Sequence, residues 1–369
     1  MEYNFLASFS EISSYIGYIL LAILVLLVMI TVHELGHYLV GKALKFSIDE
    51  FAVGFGPPLL KKRLKNGELF SLRLIPLGGY CAFTGEDKEV ESEKSFNAKA
   101  PWKRILELLS GAVMNYVFAL IIIVIMFGAY GQNALIVKKT INESSAEQSL
   151  TSGDIIMKAN GKNVYLITDL MNALQNKNAG ESVDFEVRNN GKTFNKKVVL
   201  LADTNFNNME DFERLNNALG SYEINEKGVK QNGLYSCSVR LGFFEAIGKS
   251  VEYSFKLAGT VFQVLGELLT GRIGLSSMGG TVTTISITAD AIRLGGLRYL
   301  LYITSFIGVN LAVFNLLPIP ALDGSRIIFT LIEWVRKKPI NKRVEGIIHT
   351  VGLVLVFAFA LICDLQRCF

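Results

Sequence analysis

Residues 16–40 form an apolar run that is broken only near its end, by Thr31, His33, Glu34 and His37. As a helix, a run of this length crosses roughly 30 Å of hydrocarbon. Lipid offers no partner for backbone N–H and C=O groups, so such a run is committed to helix. Residues 105–129 supply a second run, 297–335 contain a third, and 347–362 form a short fourth. Half of the 369 residues are hydrophobic and 19% are charged, a balance that soluble domains rarely show and several lipid-dissolved segments produce. The flank 1–14 carries no Lys or Arg, whereas a cleaved signal peptide has a basic start and a shorter apolar core. The first run is therefore expected to be a retained helix.

Basic residues beside the spans set the orientation. Lys42, Lys45, Lys61, Lys62, Arg63, Lys65, Lys99, Lys103 and Arg104 follow span one; Arg336, Lys337, Lys338, Lys342 and Arg343 separate spans three and four. Both clusters are expected on the cytoplasmic side, with residues 132–296 and both termini outside. The net charge of +4 gives no reason to expect a nucleic-acid partner. The cysteines (Cys81, Cys237, Cys363 and Cys368) form no CxxC pair, so neither a zinc knuckle nor a disulfide framework is expected.

The divisions expected are 1–131 (two spans and a cytoplasmic connection), 132–201 (an outside α+β module), 202–241 (a linker or extension), 242–296 (a membrane-associated segment) and 297–369 (two spans). In the module, 183–200 alternates around the turn Asn190-Gly191, as strands of a hairpin do. Residues 202–232 are rich in Asn, Asp and Glu and read as loop. Residues 243–269 are apolar at helical spacing but include Glu245, Lys249, Glu252, Lys256 and Glu267. Each charge costs roughly 2.5–3.5 kcal/mol at the centre of an inserted helix, so an interfacial amphipathic helix is expected. The Gly- and Thr-rich stretch 274–296 is expected to dip into the membrane against protein.

The chemistry lies in span one. His33-Glu34-Leu35-Gly36-His37 is an HExxH motif, which puts two imidazoles one helical turn apart on one face. Zinc accepts such nitrogens, and Glu34 stands beside them, where it can take a proton from water held there. HExxH occurs by chance in soluble helices; within an apolar span, three ionisable side chains are costly and mark a function. A catalytic site needs a third protein ligand. The stretch 310–326, NLAVFNLLPIPALDGSR, has Asp323 as its only acid, and Pro318 and Pro320 interrupt its helix. His37 and Asp323 both lie near cytoplasmic basic residues, hence at similar depth. The alternative for Asp323-Gly324 is an ordinary turn at the membrane surface. His349, the remaining histidine, lacks a ligand-spaced partner and reads as an interfacial or packing residue.

HELGH in span one with NLLPIPALDG in span three resembles the site-2 protease family of intramembrane zinc metalloproteases, in particular its bacterial regulator-of-sigma-E branch. FAVGFGPPL (51–59), LIPLGGYCAF (74–83), GAVMN (111–115) and LGFFEAIGKS (241–250) extend the likeness over most of the chain. The resemblance implies His33, His37 and Asp323 as zinc ligands and Glu34 as catalytic base. It also implies that Asn315 holds substrate or the transition-state oxygen, where the residue type alone equally fits a helix-packing amide. Residues 74–83 match a membrane-associated β-hairpin that accepts substrate as an added strand, and the outside module looks like a PDZ domain. The fold implied is a polytopic α-helical membrane protein of the cytoplasmic membrane with four transmembrane helices, that hairpin and an extracytoplasmic PDZ-like domain. The chain departs from family habit at Gly111-Ala112 and near Gly279-Gly280-Thr281, where Gly-Pro is common, and only one PDZ-like unit is legible.

The function expected is hydrolysis of single-span membrane proteins within or beside their transmembrane segments, such as an anti-sigma factor or remnant signal peptides. A metal transporter would repeat His and Asp across several spans, and an inactive scaffold would have no use for Glu34. Neither pattern fits as well.

Overall fold

A computed structural model describes residues 2–86, 95–140, 149–206, 211–224, 230–274 and 279–368. Contacts divide the chain into two units, residues 127–246 and the remainder. Among the described residues, four helical stretches are long and apolar enough to cross a membrane: Ser13–Ala43, Pro101–Tyr130, Thr281–Asn315 and Lys342–Gln366.

In the larger unit, helix α1 runs Glu2–Ala43 and α2 runs Pro101–Tyr130, opening on a proline whose missing N–H costs nothing at that position. α6 is Thr281–Asn315, α7 Asp323–Arg336 and α8 Lys342–Cys368. Small residues let the helices approach closely. A side chain on Gly36 of α1 would meet the Ser110 carbonyl of α2 at 2.5 Å, and one on Gly308 of α6 would meet Met29 at 2.6 Å and Ala119 at 2.9 Å. The third span begins earlier than expected, at Thr281, because α6 passes through Gly296 as a break with φ of 57° rather than starting after it. Residues 281–295, expected as a re-entrant stretch, are thus helical; 275–278 lie outside the described residues. Asp364 of α8 caps the start of α6, accepting the N–H groups of Val282 (3.0 Å) and Thr283 (2.9 Å). The amphipathic stretch is helix α5, Phe243–Leu269, and Tyr116 of α2 bonds Ser254 on it at 2.7 Å.

After α1, Lys45 takes a left-handed conformation (φ 61°) and the chain enters strand β1, Ile48–Arg63, paired antiparallel with β2, Leu69–Phe83. The pair is bent. Phe51 lies opposite both Cys81 and Phe70, while Lys62 also lies opposite Phe70, so the two strands make a curled sheet with β2's residues 79–83 at one edge. Its base is fixed by a cluster of Phe46, Ile48, Phe83, Phe96 and Leu108. Its turn is fixed by Tyr38 on α1, whose hydroxyl donates to Glu68 at 3.0 Å. Phe55, Leu59, Leu60, Leu74 and Ile75 stay exposed on it.

The second unit holds strands β3 (Gln132–Val137), β4 (Ile155–Ala159), β5 (Lys162–Asn163), β6 (Ser182–Asn189), β7 (Lys192–Val199) and β10 (Leu234–Val239), with helices α3 (Ile167–Leu174) and α4 (Phe212–Leu219). The main sheet order is β10-β3-β4-β6-β7, with β5 on β4. The Asn190-Gly191 turn has positive φ at both residues (49° and 78°), as a two-residue hairpin loop requires. The stretch 202–241, expected as a linker or extension, contributes to this unit: Leu215 and Leu219 of α4 join the core with Leu135, Ile156 and Phe185, and β10 pairs along β3. A short pair, β8 (Tyr222–Ile224) with β9 (Lys230–Asn232), completes it. Residues 141–148, 207–210 and 225–229 lie outside the described residues.

A buried ion pair ties this unit together. The Asp154 side chain, 1% exposed, accepts from Lys196 at 2.7 Å, from the Thr151 amide at 2.8 Å and from Asn189 at 2.8 Å. Burial pushes its carboxyl up, but these donors outweigh burial and hold it below the ordinary carboxylate range. Its contribution to stability is therefore complete above the unfolded value of about 3.9 and is lost as pH falls through the depressed folded value. Asp154→Ala is expected to destabilise this unit by about 3 kcal/mol, since Lys196 loses its partner. Hydrogen exchange of β4, β6 and β7 amides measures this. Acidification below about pH 4 should loosen the parent toward the mutant.

Candidate metal centre

His33 and His37 lie one turn apart on α1, and Asp323 opens α7 beyond the Pro318–Pro320 break. The fold brings all three together, and among the described residues they are the one group of three or more His, Cys, Asp or Glu placed to hold a metal ion. Nε2 of His33 and Nε2 of His37 are 3.2 Å apart. Oδ2 of Asp323 lies 3.1 Å from the first and 3.4 Å from the second. Four donors set tetrahedrally at roughly 2.0–2.1 Å from zinc are about 3.3 Å from one another. The observed triangle has that edge, and one tetrahedral position remains for a further ligand. The donor set of two imidazoles and a carboxylate also suits zinc.

Several local features build this triangle. Gly111 on α2 packs against both imidazoles: a side chain there would run into Nε2 of His37 and meet Cε1 of His33 at 2.6 Å. Gly324 is packed against the carbonyls of Leu316 and Leu317, so only glycine lets α7 start where Asp323 reaches the histidines. Between them, Ala321 has φ of 82°, a conformation a non-glycine residue adopts at a cost. Its N–H donates to Nδ1 of His349 at 3.1 Å, and Gly352 leaves room for Pro320 against α8. His349 thus braces the turn that carries Asp323.

Glu34 faces a cavity of about 570 Å³ that it shares with His33, His37, Asp323, Tyr80 and Cys81. A side chain on Gly79 would meet Cγ of Glu34 at 3.4 Å, so the HExxH helix packs against the 79–83 edge of the curled sheet. Asn315, at the end of α6, is 3.5 Å from Nδ1 of His33. Asn115 of α2 stands at the same distance from the same nitrogen. The sequence singles out Asn315, and shows Asn115 only as the last residue of GAVMN. It gives no prominence to Glu107, the one acid in α2, whose carboxylate lies 2.9 Å from Nδ1 of His37. An ionisable residue inside an apolar run is the signal that could have found it. Arg326 pairs with Glu86 at the cavity wall, and Arg104 of α2 pairs with Glu333 of α7 at 2.7 Å.

The sequence model of peptidase family M50 matches residues 21–359. The chain belongs to that family, the site-2 proteases. Its relatives are similar from end to end. A Clostridium perfringens protein bearing the name of a zinc metalloprotease is 31% identical over 95% of this chain and 98% of its own length. Similarly named proteins of Bartonella henselae and Fusobacterium nucleatum are 29% and 30% identical, over 90% and 94% of this chain and 96% and 97% of theirs. An M50 peptidase with this donor triangle depends on the close α1–α2 contact. Gly111→Ala is expected to displace both imidazoles and lower peptidase activity about 100-fold or more, the scale of a 1 Å misplacement. Bound zinc per purified chain should fall in parallel.

Proposed function

We propose that this zinc metalloprotease of the site-2 family cuts single-span membrane proteins within or next to their transmembrane segments. In this reading His33, His37 and Asp323 hold zinc, Glu34 is the catalytic base and Asn315 holds substrate. The observation that carries it is the donor triangle with edges of 3.1–3.4 Å beside Glu34 in one polar cavity. Zinc, when bound, polarises a peptide carbonyl and makes water acidic enough to attack it at neutral pH. Glu34 takes the proton from the attacking water and returns it to the leaving amine. Gly79 and Cys81 of the sheet edge stand beside Glu34 at this cavity. Asn315, whose amide lies 3.5 Å from Nδ1 of His33, keeps an oxygen of the substrate in place.

A transmembrane helix hides its own amides, so its scissile bond must first be unwound. The 79–83 edge of β2 runs beside Glu34 and can take the extended segment as an added strand. The second unit, with its sheet and two short helices, acts as an extracytoplasmic PDZ-like domain that binds peptide or excludes bulky proteins. The basic clusters after spans one and three favour a multi-pass topology in the cytoplasmic membrane, with that domain and both termini outside. Regulated intramembrane proteolysis, with an anti-sigma factor or remnant signal peptides as substrates, is the role this arrangement suits.

Cleavage of a single-span reporter by the purified protein in detergent, beside Glu34→Gln, tests the proposal. The mutant should lose at least about 100-fold in rate, the lower end of general acid–base contributions. Chelation should abolish cutting by the parent and zinc should restore it. Equal rates would remove Glu34 from its role. A parent that binds zinc yet cuts no reporter would favour a scaffold or a metal transporter.

A further inference from the structure

Among the described residues, the two histidines of the triangle are backed differently. Nδ1 of His33 is approached only at 3.5 Å, by the amides of Asn115 and Asn315. Nδ1 of His37 is held much more closely, 2.9 Å from Oε1 of Glu107 and 3.2 Å from the Glu107 backbone carbonyl. Both of those atoms are acceptors, so Nδ1 of His37 carries the hydrogen. Nε2 is then the lone-pair nitrogen, and it faces Nε2 of His33 and Oδ2 of Asp323. The Glu107 side chain is 2% exposed. A carboxylate inside an apolar helix is costly and persists where something compensates it. Ser110, one turn on, bonds the Glu107 carbonyl through its hydroxyl, fixing the backbone that faces the imidazole.

We propose that Glu107 is a positioning residue for the metal, taking the Nδ1 hydrogen of His37 and so presenting Nε2 as a fixed and more basic donor. This rests on the reading of His33, His37 and Asp323 as the zinc ligands. A carboxylate behind a ligating imidazole fixes its tautomer and ring orientation and strengthens it as a ligand, and losing one costs 10–100-fold in metal affinity. The backbone carbonyl alone selects the same tautomer but adds no negative charge. Glu107 therefore acts on the strength of binding, and the metal in turn offsets the cost of burying its charge. In the protein stripped of metal that compensation is missing, so replacing Glu107 should leave the apo fold as stable as before or more so.

The test is zinc affinity of the purified full-length protein in detergent, by competition with a chromogenic chelator. Glu107→Gln, Glu107→Leu and Glu107→Asp are compared with the parent and with His37→Ala. Gln and Leu are expected to bind zinc 10–100-fold more weakly, and Asp, which keeps the charge on a shorter arm, to recover part of the loss. Thermal unfolding in chelator should be unchanged or raised for Gln and Leu, which separates loss of positioning from loss of fold. The cobalt-substituted protein should show an altered visible spectrum in the Gln variant. Gln and Leu variants that bind zinc within twofold of the parent would overturn the role of Glu107 alone, provided His37→Ala has lost it. A parent that holds zinc no better than His37→Ala would overturn the ligand assignment and this inference together.

Discussion

Helix α1 meets the α2 backbone at Gly36, Gly111 of α2 lies against the two imidazoles, and the candidate metal centre is built on that contact. An imidazole pair inside a span has to be surrounded by polar partners while the helices still exclude lipid. Glycine solves both demands. It brings α2 close enough for the Glu107 carboxylate to reach His37 and for Asn115 to reach His33, with no side chain between. Gly324 does the same for the third donor by letting α7 begin against the end of α6. The candidate ligands come from two distant parts of the chain, yet each is delivered by a place where a side chain is missing.

Around this centre the polar groups are used economically. Gly79 leaves the sheet edge packed against Glu34, so the edge and the candidate base lie side by side. The hairpin that carries Cys81 is tied to α1 at its turn by Tyr38 and at its base by an aromatic cluster. A bent two-strand sheet would otherwise be marginal in isolation. Its exposed Leu59, Leu60, Leu74 and Ile75 suit an apolar medium better than water.

Much of this is legible in the sequence, and the parts that are not share a cause. HExxH has meaning at helical spacing, so the sequence alone puts His33, Glu34 and His37 on neighbouring positions of one helix. Asp323 pairs with them because it is the only acid in its stretch and two prolines release the backbone beside it. The start of α6 is hidden because Gly296 and the Gly- and Thr-rich residues ahead of it read as a break, while the capping carboxylate, Asp364, comes from another helix. The stretch 202–241 looks like a linker because its composition is polar, yet β10 finds its partner β3 far away in sequence. Glu107 does not stand out because its partner, His37, lies on another helix and no spacing rule connects them. Local periodicity is written in the chain; pairings between distant elements are written only in the folded packing.

The turn at Ala321 bears on the order in which the protein is made. All three candidate donors exist once the chain has been extended to α7, but the left-handed turn that presents Asp323 is pinned by His349 and packed against Gly352, both on α8. A nascent chain halted ahead of α8 would carry the complete ligand sequence and lack the brace that fixes its third member. Docking of α8 therefore comes before the candidate centre is complete: the turn that presents Asp323 takes its final shape only once α8 has packed against it.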